Sequence, residues 1–139
     1  MWLFLLVTLI ASRLITFNPN AAFLDSREYV DLARSSWPVA LTSGHRPIHP
    51  AYVAVLKLIP LPAGLISALA GIGTVIVFYF LVKELWDKQT ATIAAILLAL
   101  LPGVWIVQEN VMVEGLSLWW LTLVIYLAVK QKWLAAGVS

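Results

Sequence analysis

The sequence predicts an all-α integral membrane protein with about four transmembrane helices, and three observations carry this prediction. Hydrophobic residues make up 62% of the 139 residues and charged residues only 12%, whereas about 25% of the residues in a soluble domain are charged. The mean hydropathy is +0.93. Four long apolar segments are separated by shorter polar stretches, and each is close to the roughly 20 helical residues that a bilayer core requires.

Helix breakers and charges bound each apolar segment, which predicts a single membrane domain over residues 1–139. The expected elements are helix 1 at about 1–17, an external loop at 18–62, helix 2 at about 63–82, helix 3 at about 89–107 and helix 4 at about 110–130. The Asn-Pro-Asn sequence at 18–20 ends helix 1, and Pro102 with Gly103 predicts a kink or stop in helix 3. A retained helix 1 is favoured over a signal peptide because it lacks a basic amino-terminal region and a small-residue cleavage site.

The charge and cysteine content exclude several classes of function and suggest an orientation. Without cysteine there is no zinc thiolate or disulfide, and the small net charge of +2 gives no reason to expect a nucleic-acid partner. The basic residues fall into two groups. The lysines Lys83, Lys88, Lys130 and Lys132 lie at one set of predicted helix ends, and the arginines Arg27, Arg34 and Arg46 lie in the first loop, which also contains acids. Because cytoplasmic loops are rich in basic residues, we place the lysines in the cytoplasm and residues 18–62 outside, in a prokaryotic cytoplasmic membrane whose lipids surround the helices.

The stretch FLDSREYVDLARSSW predicts a short amphipathic interfacial helix in the external loop. Asp25 precedes Glu28 by three residues, which is the capping-box pattern. Arg27 and Arg34 lie at i−4 and i+3 from Asp31, the spacing of ion pairs on one helical face. Taken locally, these patterns favour a structural role for the whole stretch, lying at a membrane surface.

Two further polar features permit either a functional or a structural interpretation. Glu114 lies at the start of the fourth apolar segment with no lysine or arginine within one turn, which indicates either a functional acid or a solvated residue at a helix amino terminus. His45 and His49 flank Arg46 in a proline-broken loop, a set that suits a phosphate or other anion as well as simple solvation. A metal site formed by the two histidines is disfavoured because helical spacing does not apply in this loop.

The order of these motifs resembles the amino-terminal part of polytopic GT-C glycosyltransferases, such as the protein O-mannosyltransferases and the aminoarabinose lipid A transferases. The motifs are FLDSREYVDLA after helix 1, then GHRPIHPAYVAVL, then LLPGVWIVQENVMVEGLSLWW. Asp25 stands where the family has its first-loop catalytic acid, and Glu114 stands at the second acid. Arg46, Pro47 and Pro50 match the family's proline segment, although here the prolines are separated.

The resemblance implies transfer of a sugar, with inversion, from a polyprenyl-phosphate donor to a hydroxyl acceptor at the external membrane face. Asp25 would be the general base and Glu114 the second acid. Arg46, His49 and His45 would bind the donor phosphate, or a divalent metal ion held partly by Glu114 would offset its charge. Family members have more membrane helices than are predicted here, so the chain corresponds to the amino-terminal half and needs a membrane protein partner or further helices.

A different class of function is a non-catalytic membrane subunit that packs in a larger multi-protein complex. Small residues at four-residue spacing in helix 2 favour close helix packing, within the chain or with a partner. In a pigment-containing version of such a complex, His45 or His49 would be an axial ligand.

Overall fold

The computed structural model describes residues 7–8, 11–12, 15, 24–43 and 49–130. Over these residues the protein is helical with no strand, which confirms the all-α prediction for this part of the chain. The helices described in full are α1 Leu24–Arg34, α2 Trp37–Thr42, α3 Pro50–Leu58, α4 Ala63–Leu85, α5 Lys88–Leu100, α6 Pro102–Glu109 and α7 Val113–Val129. Most of the predicted helix 1, at 1–17, lies outside the described residues.

The described residues contain one helix that is long and apolar enough to cross a bilayer by itself, the 23-residue α4. The α5 and α6 helices pass the same test only as a pair, which is bent by 67° at its break. Pro102 explains the break, because the residue before a proline is driven out of the α region, and Leu101 has φ −64 and ψ 119. The α7 helix is apolar but shorter, with 17 residues.

The predicted loop at 18–62 contains three described helices, α1, α2 and α3, of which α1 covers the predicted interfacial helix. Prolines account for the starts of the other two helices, since Pro50 is the first residue of α3 and Pro38 lies near the start of α2. The Arg34 ion pair predicted on α1 does not form with Asp31. Asp25 lies inside the first turn of α1, so it is not the capping residue before the helix that the local pattern predicted.

Lys57 joins the three short helices. Its Nζ donates hydrogen bonds to the carbonyl oxygens of Ala33, at 3.1 Å, and of Ser35, and it lies 5.2 Å from the centroid of the Trp37 ring. Carbonyls at a helix carboxyl end lack helical donors and attract cations. Lys57 therefore caps α1 from α3 and makes a cation–π contact with α2.

The α4 and α7 helices run parallel, and α5 and α6 pack against α4 beside them. The carboxyl ends of α4 and α7 are joined by an ion pair in which Lys130 Nζ lies 2.6 Å from Glu84 Oε2. The α4 and α7 helices therefore begin at the same end of the bundle, and α1 and α3 pack against that end. The larger apolar core lies there and joins Tyr29, Val53, Ile66 and other buried side chains.

Small residues on α4 allow α6 and α7 to approach its backbone closely. The four residues at four-residue spacing are all buried: Gly64, Ser67, Ala68 and Gly71. A Cβ atom on Gly71 would lie 2.8 Å from the Cβ of Gln108, and one on Gly73 would lie 2.6 Å from Nε1 of Trp119. These distances are shorter than van der Waals contact, so the packing indicated by the small residues occurs within this chain.

The Asp87 carboxylate caps the amino terminus of α5. Its oxygens accept hydrogen bonds from Thr90 Oγ1 at 2.6 Å, from Thr90 N at 3.0 Å and from Gln89 N at 2.8 Å. The hydrogen bonds from the side chain and backbone of Thr90 lead in holding the pKa of Asp87 below its ordinary value. The cap therefore requires the ionised carboxylate.

We expect Gly71→Ala to lower the free energy of unfolding by about 1–3 kcal/mol, because the new methyl group overlaps Gln108 and forces α6 away from α4. Thermal unfolding in detergent micelles, followed by circular dichroism, measures the change. The matched control is Gly103→Ala in α6, where a Cβ meets nothing within 4 Å. That change should be neutral or stabilise by up to about 1 kcal/mol, and equal destabilisation by both changes would contradict the close α4–α6 contact.

We expect Asp87→Ala to lower the unfolding temperature at neutral pH and to have no effect in strong acid. Because the pKa of Asp87 is lowered from 3.8 on folding, its stabilisation is complete above that value and is lost as the pH falls through the lowered pKa. Unfolding temperatures of both proteins, measured from neutral to strongly acidic pH, should converge at the acidic end. Asp87→Asn keeps an acceptor and should show a smaller, pH-independent loss, whereas a constant gap between wild type and Asp87→Ala would refute the assignment.

Candidate functional site

Tyr29 is the centre of a cluster formed by α1, the start of α3 and the start of α7. Its side chain is 5% exposed. The Tyr29 ring lies 5.0 Å from the ring of Tyr52 at an interplanar angle of 87° and 6.0 Å from the ring of His49 at 64°. Edge-to-face contacts of this kind fix ring orientation and add to the energy of burial. The Tyr29 ring of α1 is thus held against two rings at the start of α3.

The two candidate acids lie on different helices and both act on Tyr29. Asp25 is in the first turn of α1, Glu114 is in the first turn of α7, and both side chains are exposed. Burial raises the pKa of Tyr29 above its ordinary value, and the negative charges of Glu114, Asp25 and Glu28 raise it further, in that order. The negative charges of Asp25, on α1, and Glu114, on α7, therefore both disfavour the Tyr29 phenolate.

Tyr52 and Ser67 extend the cluster towards α4, and sequence reasoning did not identify either of them. Tyr52 is 3% exposed, and its hydroxyl lies beside that of Ser67 without forming a well-aligned hydrogen bond. Burial raises the pKa of Tyr52, and the nearby Ser67 hydroxyl opposes this. One signal was available, since Tyr52 follows His49 by three residues on a helix that Pro50 opens, which places both side chains on one face.

Two adjacent cavities open beside this cluster. One, of about 460 Å³, is lined by His49, Tyr52 and Ser117 together with apolar side chains. The other, of about 300 Å³, lies under α3 between α4 and α7 and is lined by apolar side chains. Both cavities are bounded by Val55, Leu116 and Trp120. Together they form a groove that is polar at the His49 end and apolar along the bundle, which suits an amphiphile.

The remaining sequence-predicted residues have different outcomes. His49 precedes α3 and is half-buried against Tyr29. His45 and Arg46 lie outside the described residues, so their predicted phosphate contacts stay predictions. Within the described part of the chain, no group of three or more His, Asp or Glu side chains is placed to hold a metal ion, so Glu114 would need further ligands for that role.

No protein-family model matches this chain, and no curated protein or solved structure matches it significantly. Its function must therefore be inferred from its own side chains and from the order of its motifs. The two acids around Tyr29, the imidazole of His49 and the adjoining groove are the side chains and surface that bear on function.

We expect Glu114→Gln to lower the pKa of Tyr29 towards its ordinary value of 10.0, because removal of a nearby negative charge favours the phenolate. Asp25→Asn should act in the same direction with a smaller shift. Titration of the tyrosine Cζ resonances by NMR, assigned with Tyr29→Phe, measures both shifts. Glu84→Gln is the control at the far end of α4 and should leave this pKa unchanged, whereas an unchanged value in Glu114→Gln would contradict the arrangement described here.

Proposed function

We propose that this chain forms the amino-terminal part of a GT-C-type glycosyltransferase, which moves a sugar from a polyprenyl-phosphate donor to a hydroxyl acceptor at the external face of a membrane. The observation that carries the proposal is the arrangement of Asp25 and Glu114, which act from two helices on the same residue, Tyr29. These are the two positions at which the motif order resembles the acids of that family.

In the proposed reaction Asp25 accepts the proton of the acceptor hydroxyl while the hydroxyl oxygen attacks the anomeric carbon of the sugar. The bond from that carbon to the donor phosphate oxygen breaks, and the phosphate leaves with the electron pair. Asp25 is exposed, so an acceptor can reach it. The leaving phosphate needs cationic or hydrogen-bonding partners, and His49 with Arg46 and His45 would supply them. Glu114 would orient the acceptor or contribute to a divalent metal site.

The groove beside His49 supports a donor that carries a long lipid. A phosphate near His49 would have the apolar side chains of Val55, Leu116 and Trp120 next to it. The first isoprene units of a polyprenyl chain would lie against them, and the rest of the chain would continue into the bilayer.

We place membrane crossings in α4, in the bent α5–α6 pair and in α7, and the apolar sequence of residues 1–17 supports a fourth. With 17 residues, α7 reaches the lower limit of the 17–25 or so that span a bilayer. Lys83, Lys88 and Lys130 all lie at the end of the bundle opposite the acids, which supports a cytoplasmic position for them and an external position for 18–62.

A non-catalytic subunit is the second candidate function, and the exposed apolar surface of the later helices favours it. Leu97 is 60% exposed, Ile106 49% and Leu121 58%. Large apolar surfaces on folded proteins are usually covered by lipid or by another protein. The transferase proposal also requires further helices, on the same chain or on a partner. The two candidate functions therefore differ only in whether the site around Tyr29 is catalytic.

We expect Asp25→Asn to lower sugar transfer by about a hundredfold or more, since general-base catalysis contributes about 10²–10⁴-fold. The assay follows transfer from a polyprenyl-phosphate sugar in membranes where the chain is coexpressed with the membrane proteins encoded beside it. Asp31→Asn removes another exposed acid of α1 and should change the rate little. Transfer that is unaffected by Asp25→Asn would exclude the proposed role, and a stable complex with no transfer and a visible absorbance band would favour a pigment-containing subunit.

A further inference from the structure

Arg34 and Lys57 line a third cavity, of about 300 Å³, at the opposite end of α3 from His49. Its walls are the last turn of α1, the end of α3 and the segment from Pro60 to Ala63 that leads into α4. It shares no lining residue with the His49 cavity. The cationic cavity is therefore distinct from the His49 cavity, although both adjoin the apolar groove under α3.

The charges around this cavity are arranged to attract an anion. The guanidinium of Arg34 forms no ion pair with the acids of the described residues, although Asp31 is three residues away. Lys57 is held in place by the carbonyls of Ala33 and Ser35, and since an ammonium has three donors, one remains. The same two hydrogen bonds occupy carbonyls that would otherwise repel an anion. The start of α4 faces the cavity at Ala63 with no side-chain cap, and its dipole adds to the attraction.

An apolar path leads from this cationic cavity. Ile59 and Leu61 line both it and the apolar groove under α3, which continues to Leu69 and Trp119 along α4 and α7. We propose that the cavity binds the headgroup of an anionic phospholipid, with its phosphate between Arg34 and Lys57 and one acyl chain in the groove. Arginine suits this role because its planar fork matches a phosphate. The proposal does not depend on the transferase activity.

Native mass spectrometry of the full chain in detergent tests this site, with phosphatidylglycerol and phosphatidylcholine of identical acyl chains as probes. We expect the native chain to retain phosphatidylglycerol more strongly. Arg34→Gln should reduce that retention by about fivefold, the value of one basic residue at an anionic surface. Arg34→Lys should keep most of it, and Lys88→Gln, at the far end of the bundle, should change nothing. Helix content measured by circular dichroism confirms that each variant is folded.

Three outcomes would overturn the proposal. Equal retention of the two phospholipids by the native chain would show that charge does not contribute. Displacement of phosphatidylglycerol by glycerol phosphate at a similar concentration would show an anion site without a role for the acyl chain. Preferential displacement by a polyprenyl phosphate, lost in Arg34→Gln, would assign the cavity to a polyprenyl lipid instead of a membrane phospholipid.

Discussion

Close contact of α6 and α7 with the backbone of α4 is the constraint on which the polar end of the protein depends. Gly71 admits the side chain of Gln108, and Gly73 admits the indole of Trp119. At this separation the start of α7 packs with α1 and α3, where Leu116 joins the core around Tyr29. The position of Glu114 relative to Tyr29 therefore depends on the glycines of α4, which leave room for α6 and α7. Helix packing in the bundle thus influences the electrostatics of the site.

Much of the helical organisation could be predicted because long apolar runs and prolines are local signals. The second segment, predicted at 63–82, is α4 at Ala63–Leu85, and the third is divided at Pro102 into α5 and α6. The short helices before α4 were harder to predict from the sequence, since helices of this length are not stable alone. The six residues of α2 form a helix in a tertiary setting, where Ala40 is fully buried and Trp37 contacts Lys57. No local pattern in the sequence contains those contacts.

The candidate site was predictable only where the chemistry of a residue was unusual for its surroundings. Asp25 and Glu114 are acids next to apolar segments, which identified them without a structure. Tyr52, Ser67 and Gln108 are ordinary residues in ordinary helical positions. They become notable because their polar side-chain atoms are buried without a hydrogen-bond partner within the described part of the chain, and burial of this kind arises from helices distant in sequence. Buried polar groups normally bond to protein or water, so these three side chains are the ones in the α3, α4 and α6 packing that would gain from a bound water.

The two ends of α3 differ in charge, and the direction of α1 explains why. The His49 and Tyr52 rings pack on Tyr29, while Lys57 reaches Ala33, so α1 and α3 run parallel. On α1 the acid of the first turn is Asp25 and the base of the last turn is Arg34, the order that a helix dipole favours. The end of α3 next to Asp25 is therefore acidic and the end next to Arg34 is basic. The phosphate of a phospholipid is therefore favoured at the Arg34 end, whereas a donor phosphate at the other end would need His49, with Arg46 and His45, to offset the charge of Asp25.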